Sequence, residues 1–334
     1  MKILILGGSK FLGRAYVLEA LARGYEVTTF NRGVSRADQP GVEAVHGDRT
    51  SQADLEKLVA GRRWDAVVDT SGQQPHDVAR AAGLLRDHAD HYTFISSIHA
   101  FADWPAAPVD ESSPTHPCPA DTPPDQPPGN PLKAGCERAL LTEFGARSLL
   151  LNCGLLIGPH EPVGRLPWWL ERIAAGGRVL APGNPDRPMQ LIDARDFAAF
   201  GLDLLERGET GRYITTGPAG RDTYGDFLGH CIRATGSDAE LVWTDDNTLL
   251  AADVGPWVEL PLWTPDLPDW HGTWQADSSR ALAAGLNSRP LAETVRDTWA
   301  WLQETGPGEE SWAQGDLPLG IAREKERKIL DQAR

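Results

Sequence analysis

The residues best placed to do chemistry lie at the start of the chain. Met1 to Arg32 reads MKILILGGSKFLGRAYVLEALARGYEVTTFNR. Gly7, Gly8 and Gly13 would let the backbone of a turn come close to a bulky anion. A helix opening near Phe11 would aim free N–H groups and its positive dipole end at the same point. That chemistry is pyrophosphate binding, with Ser9, Lys10, Phe11, Leu12 and Gly13 around the anion. Lys10 stands where the GxxGxxG pattern usually has its middle glycine. The next apolar run ends in Asn31-Arg32, without an Asp or Glu. An acidic residue there would bond the ribose 2′-hydroxyl of NAD, whereas an Arg accommodates a 2′-phosphate. With Lys10 as a second cation, the expected cofactor is NADP(H) rather than NAD(H).

Other candidates recur at the ends of later apolar runs. Asp48 has two readings: it accepts from an adenine amino group, or it caps the helix that starts near Ser51. Thr70, Ser71 and Gly72 are small enough for a loop to pass under a cofactor. Gln73, Gln74 and His76 follow them, as substrate contacts or as a polar loop. Ser96-Ser97-Ile98-His99 ends another run. Alternation along an extended segment would put Ser97 and His99 on one face. A histidine titrates near pH 6.5 when unperturbed, so His99 is a candidate acid/base; the other reading is a hydrogen-bonded structural histidine. Asp103, Glu111, His116 and Cys118 are weaker candidates. Lys133 opens a helix after Pro131, where its charge opposes the helix dipole, a small cost that points to a duty. Trp168, Trp169, Arg172 and Arg187 could bind an aromatic or anionic substrate by stacking and bidentate pairing. The tryptophans could equally be core. The same two readings apply to the segment from Trp257 to Trp274.

These residues need a scaffold that puts strand ends together. Ile3 to Leu6 is an apolar run too short for a free helix and closed by glycines, the pattern of a strand buried on both faces. Phe11, Leu12, Ala15, Val17, Leu18 and Leu21 recur at helical spacing, and Gly24 ends the helix. Further strands are expected at Val27–Phe30, Val42–Val45, Ala66–Val68, Tyr92–Ile95 and Leu149–Ile157. A helix is expected over Lys133–Phe144. The alternation predicts an α/β fold, a doubly wound parallel Rossmann sheet with a smaller C-terminal α/β substrate domain. Residues 1–158 would form the nucleotide-binding domain, completed by segments returning near 189–217. Residues 159–334 would mainly form the second domain and the C-terminal helices. The proline-crowded stretch 102–131 is a lid or wall over the site, or a surface excursion. The charged tail helix, Ala322 to Ala333, is expected to present a solvated face.

At 334 residues and 41% hydrophobic, the chain can bury a large core. A net charge of −15 argues against nucleic acid or an anionic membrane as partner. Cys118, Cys136, Cys153 and Cys231 lack metal-ligand spacing, which suits a reducing cytoplasm and a protein without a metal. No membrane-length apolar run and no secretory signal are expected.

GGSKFLG, DTSG, FISS, LKAGCE and GLLIGP occur in an order that resembles the extended short-chain dehydrogenase/reductase superfamily, in its NAD-dependent epimerase/dehydratase branch. The GGxxFLG form is similar to an atypical subgroup that includes bacterial reductases and chloroplast stem-loop RNA-binding proteins. The resemblance implies that Ser97 polarises a substrate carbonyl and Lys133 holds the nicotinamide ribose. It also implies a homodimer, a small-molecule substrate, and cofactor contacts from Ser96 and Asn152. Relatives commonly carry Arg-Pro where this chain has Asn152-Cys153. Their catalytic Tyr, four residues before the Lys, is Gly129 here. Three outcomes follow: another group such as His99 supplies the proton; the cofactor is kept for non-redox isomerase, lyase or cyclase chemistry; or the protein is a nucleotide-sensing or RNA-associated binder without catalysis.

Overall fold

The computed structural model describes residues 1–123, 130–305, 313–314 and 316–332. Its frame is a seven-stranded sheet in which every pairing is parallel. The strands are β1 (Lys2–Leu6), β2 (Glu26–Asn31), β3 (Glu43–His46), β4 (Trp64–Asp69), β5 (Ala89–Ser97), β6 (Ser148–Cys153) and β7 (Gly211–Thr215). Their spatial order is β7-β6-β5-β4-β1-β2-β3. β1 lies between β2 and β4, which explains why all of Ile3 to Leu6 is apolar. Ile3 and Ile5 face the core under helices α1 (Phe11–Ala22) and α6 (Ala194–Glu206). Leu4 and Leu6 face the opposite core, under α2 (Gln52–Val59), α3 (Pro75–Leu85) and α4 (Asn130–Phe144).

A third core is assembled from residues between Ile157 and Leu330. It packs α5 (Arg165–Ala174) and α7 (Tyr224–Thr235) with the helices Leu291–Thr305 and Arg323–Gln332. A parallel pair, Arg178–Pro182 with Glu240–Thr244, backs this core. Between these pieces the chain returns to the sheet as α6 and β7. Among the described residues no helix is long and apolar enough to cross a membrane.

Three expectations about elements change. The run Leu149–Ile157 is two strands, because the chain leaves the sheet at Gly154 and Leu155–Ile157 pairs instead with Leu191–Asp193. A side chain at Gly154 would collide with Thr216, which crosses there. Ser51, not Asp48, caps α2, by accepting from Asp54 N–H. The tail helix is not wholly solvated. Glu326 is buried on it, takes two bonds from Arg172 Nε at 2.8 and 3.0 Å, and accepts from Leu180 N–H. Arg172 therefore anchors the tail.

Candidate active site

The C-terminal ends of β1, β2 and β4 open into a cleft of about 610 Å³. Gly7, Ser9, Lys10, Phe11, Leu12 and Gly13 line it, together with Asn31, Arg32, Ser35, Asp48, Arg49, Thr70, Ser71 and Gln73. Lys10, at the N-cap of α1, makes no side-chain capping bond, so the first-turn N–H groups of α1 have no side-chain partner there. Gly7 and Gly8 adopt φ of +112° and +93°, conformations that favour glycine. A Cβ on Gly13 would lie 2.7 Å from the Gly8 backbone nitrogen. That backbone cannot yield cheaply. Gly13→Ala is expected to weaken pyridine nucleotide binding about tenfold and cost about 1–3 kcal/mol of stability, read by calorimetric titration and thermal melting.

The cleft's far wall is held by an ion pair that sequence reasoning missed. Arg49 bonds both oxygens of Asp69, at 2.8 and 2.9 Å, and also Ser71 Oγ at 2.9 Å. Asp69 is fully buried and also accepts from Tyr92 Oη and Ser71 N–H. Burial by itself would raise the Asp69 carboxyl, but the Arg49 charge and bonds hold it below the usual carboxylate range. The signal was present: the aspartate of DTSG directly follows the apolar run Ala66–Val68, and a buried carboxylate needs a cation.

A second cavity, of about 260 Å³, opens beyond the end of β5. Ser97, Ile98 and His99 all line it; Ile98–Ala100 is a short 3-10 turn rather than the extended segment expected, so the turn and not strand alternation brings Ser97 and His99 to one cavity. Ser97 Oγ accepts from His99 N–H at 3.2 Å, which fixes the turn that carries the imidazole. The His99 ring meets Trp104 edge-on, centroids 4.3 Å apart. Trp104 and Pro105 come from the proline-rich stretch, which is tied down by bridges Phe101–Thr115 and Val109–Ala276. Its described part is a wall of this cavity. Opposite stand Trp257, Trp270 and Trp274, with Arg165 at the head of α5. The tryptophan-rich segment thus lines a cavity, while Trp263 of the same segment is core. The two cavities are close neighbours: Pro162 lines the first and Arg165 the second.

Lys133, expected at the cofactor, lines neither cavity. Its Nζ donates to Gly72 O at 2.7 Å and Ile95 O at 3.2 Å, joining the ends of β4 and β5. Burial pushes this ammonium below the ordinary lysine value. Gly72 itself is packed against Phe94 and Val78 and contributes its carbonyl to Lys133 rather than a wall of the cleft. Gly129, where relatives carry Tyr, lies outside the described residues. None of the five tyrosines lines either cavity. Tyr92 is bonded to Asp69, Tyr213 to Glu209, Tyr224 to Pro261 O and Tyr25 to Glu206, while Tyr16 is buried against Phe197.

Several expected site residues are engaged elsewhere. Ser96 and Asn152 do not reach the cofactor cleft. Both donate to buried Glu137, at 2.5 and 2.7 Å, and Arg212 closes the network with bonds of 3.0 and 2.6 Å to the same carboxylate. Trp168 packs edge-on against Trp169, outside both cavities. Arg187 is paired with Asp246, also outside them. Gln73 lines the nucleotide cleft and not the second cavity. Of the weaker acid candidates, Glu111 accepts from Ile214 N–H and Cys118 is buried beside Thr122. Asp103 and His116 line neither cavity. Burial pushes the Cys153 thiol up to about 11, so at neutral pH it is not a thiolate.

The strand order, the glycine turn and the paired cavities define a protein with the fold of the extended short-chain dehydrogenases/reductases. Its residues 3–90 match the model of the NAD dependent epimerase/dehydratase family. The chain is 35% identical over 214 residues to the 2′-dehydrokanamycin reductase of Streptomyces kanamyceticus, a match covering 61% of this chain and 58% of that protein. The chain therefore spans less than two thirds of that curated relative. In fold it is similar to the Bordetella bronchiseptica enzyme WbmH in complex with NAD+ (TM-score 0.67, 17% identity, 92% of this chain and 99% of that one). It is equally similar to the UDP-glucose 4-epimerase of Thermotoga maritima with UDP-glucose (TM-score 0.67, 17% identity, 91% and 99%).

Proposed function

We propose that the protein is an NADP(H)-dependent oxidoreductase that interconverts a carbonyl and an alcohol on a small metabolite. The observation that carries this reading is the adjacency of an uncapped glycine-turn cleft and a cavity that holds Ser97 and His99. The first fits a dinucleotide: the α1 N–H groups, with Gly7 and Gly13 leaving room, suit the pyrophosphate. Lys10 and Arg32 stand at the adenosine end, where a 2′-phosphate would lie. Lys133, which joins the ends of β4 and β5, is the residue we assign to the nicotinamide ribose. When bound, a dihydronicotinamide supplies hydride to the carbonyl carbon and is itself oxidised. Ser97 hydrogen-bonds the carbonyl oxygen, and His99 delivers the proton that turns this oxygen into a hydroxyl. The indole walls exclude water from the reacting face. The similarity to a reductase supports net redox chemistry.

In this reading residues 1–158, with α6 and β7, hold the cofactor, and most of 159–334 closes the substrate cavity. The four cysteines are all unpaired, which fits a reducing compartment such as the cytoplasm. NADPH is expected to bind about tenfold tighter than NADH, and Arg32→Ser to remove most of that difference. Calorimetric titration of both nucleotides checks this; tighter NADH binding overturns the 2′-phosphate assignment. The match to an epimerase/dehydratase family supports a second reading, in which the cofactor ends each turnover as it began. Steady nicotinamide absorbance at 340 nm during turnover would favour it.

A further inference from the structure

We propose that the indole-walled cavity takes a one- or two-ring carbonyl compound rich in hydrogen-bond acceptors and free of amines, not a polyamine sugar or a nucleotide-sugar. This rests on reading that cavity as the substrate site.

Size is the first argument. At about 260 Å³ the cavity is smaller than the roughly 300–1,000 Å³ of pockets that enclose drug-sized ligands. A nucleotide-sugar is too large for it.

The walls are the second. Trp257 stacks on Trp270, with centroids 6.0 Å apart and planes 27° apart, and lies 5.9 Å from Trp274. Such a surface takes the flat or apolar face of a ring.

Polarity is the third argument, and it sets the class. Among the described residues lining the cavity there is no Asp or Glu. Its amide and two of its hydroxyls are already spent. Gln190 bonds Ala276 through both its amide groups, Thr273 donates to Trp270 O, and Thr216 donates to Gln190 O. Ser97 and His99 aside, two donors are left over. Trp104 Nε1 and Arg165 Nε are buried without a hydrogen-bond partner. A buried donor left unmade is costly, so a ligand acceptor there gains what the apo protein lacks.

A ligand ammonium would find the opposite. The Arg165 guanidinium lies 5.8 Å from the Trp257 ring centroid, so a cation already stands beside the indole surface. Its counter-charge, Glu161, is buried away from the cavity and caps α5 by accepting from Arg165 and Leu166 N–H.

The test is a calorimetric ranking on the protein saturated with NADP+. The probes are 4-chromanone (two rings, a carbonyl and an ether oxygen), kanamycin and UDP-glucose. The chromanone is expected to bind at least about tenfold tighter than either competitor, and Trp104→Phe to weaken it about fivefold to tenfold by removing one buried donor. Equal or tighter binding of kanamycin or UDP-glucose overturns the proposal, as does no heat with chromanone. Unchanged chromanone affinity in a folded Trp104→Phe protein overturns the donor argument. If that variant does not fold, the wild-type ranking decides. Failure of the cofactor reading is separately visible as no heat with NADP+, and the same ranking is then taken on the free protein.

Discussion

Replacing His99 with alanine is expected to lower kcat by about 10²–10⁴, the usual worth of a positioned general acid, with NADPH affinity unchanged. The reasoning runs from geometry. Ser97 and His99 share the cavity, their turn is closed by the 3.2 Å bond from His99 N–H to Ser97 Oγ, and no tyrosine lines either cavity. In the proposed reduction the carbonyl oxygen needs a proton, and His99 is the imidazole that shares this cavity with Ser97. Two readouts separate a proton donor from a packing residue. Added imidazole should restore part of the alanine variant's rate, because the vacated space admits a free acid. His99→Gln should stay slow, because an amide keeps the packing but cannot give up a proton at neutral pH. Full turnover in His99→Ala, measured with the carbonyl compound the wild-type protein reduces fastest, removes the residue from the mechanism.

Replacing Arg49 with methionine is expected to cost about 3–5 kcal/mol, the range seen when one partner of a buried ion pair is removed. Asp69 would keep Tyr92 Oη and Ser71 N–H but lose both bonds and the charge of Arg49. The pH dependence follows from the direction of the shift. In the wild type the Asp69 carboxyl is held below its unfolded value, despite burial, by Arg49. A depressed carboxylate contributes stability that is present above the unfolded value of about 3.9 and lost as pH falls through the folded value. In the variant burial has no opposing cation, so the carboxyl rises and the penalty is largest at neutral pH. Urea denaturation at pH 7 and pH 4.5 should therefore show a gap between the two proteins that narrows on acidification. A gap that widens, or none at pH 7, would show that Asp69 does not depend on Arg49.

Much of the nucleotide side was legible because it is local. Residues within a turn and one helix terminus, such as Gly7, Lys10 and Gly13, are brought together by the backbone they sit on. Ser97 and His99 are also local partners, but through a 3-10 turn at Ile98–Ala100 and not through the strand period the sequence suggested. The misreadings are non-local. Ser96 and Asn152 sit at strand ends that look like cofactor contacts, but Glu137 from α4 and Arg212 from β7 claim them. Arg187 and Trp168 have the right chemistry for a ligand and the wrong neighbours. The break at Gly154 depends on Thr216, which directly follows β7 and is distant in the chain.

From the order of residues alone came a parallel α/β sheet, and a glycine turn at the head of α1 with Lys10 and Arg32 close to it. Hydrophobic periodicity and glycine placement are properties of adjacent residues, so they can be read without a fold. Tertiary packing alone decided that Arg49 pairs with Asp69, and that Trp104 and Trp257 face one cavity. Those residues lie far apart in the chain, and they meet because burying the sheet and the C-terminal core leaves one place for each.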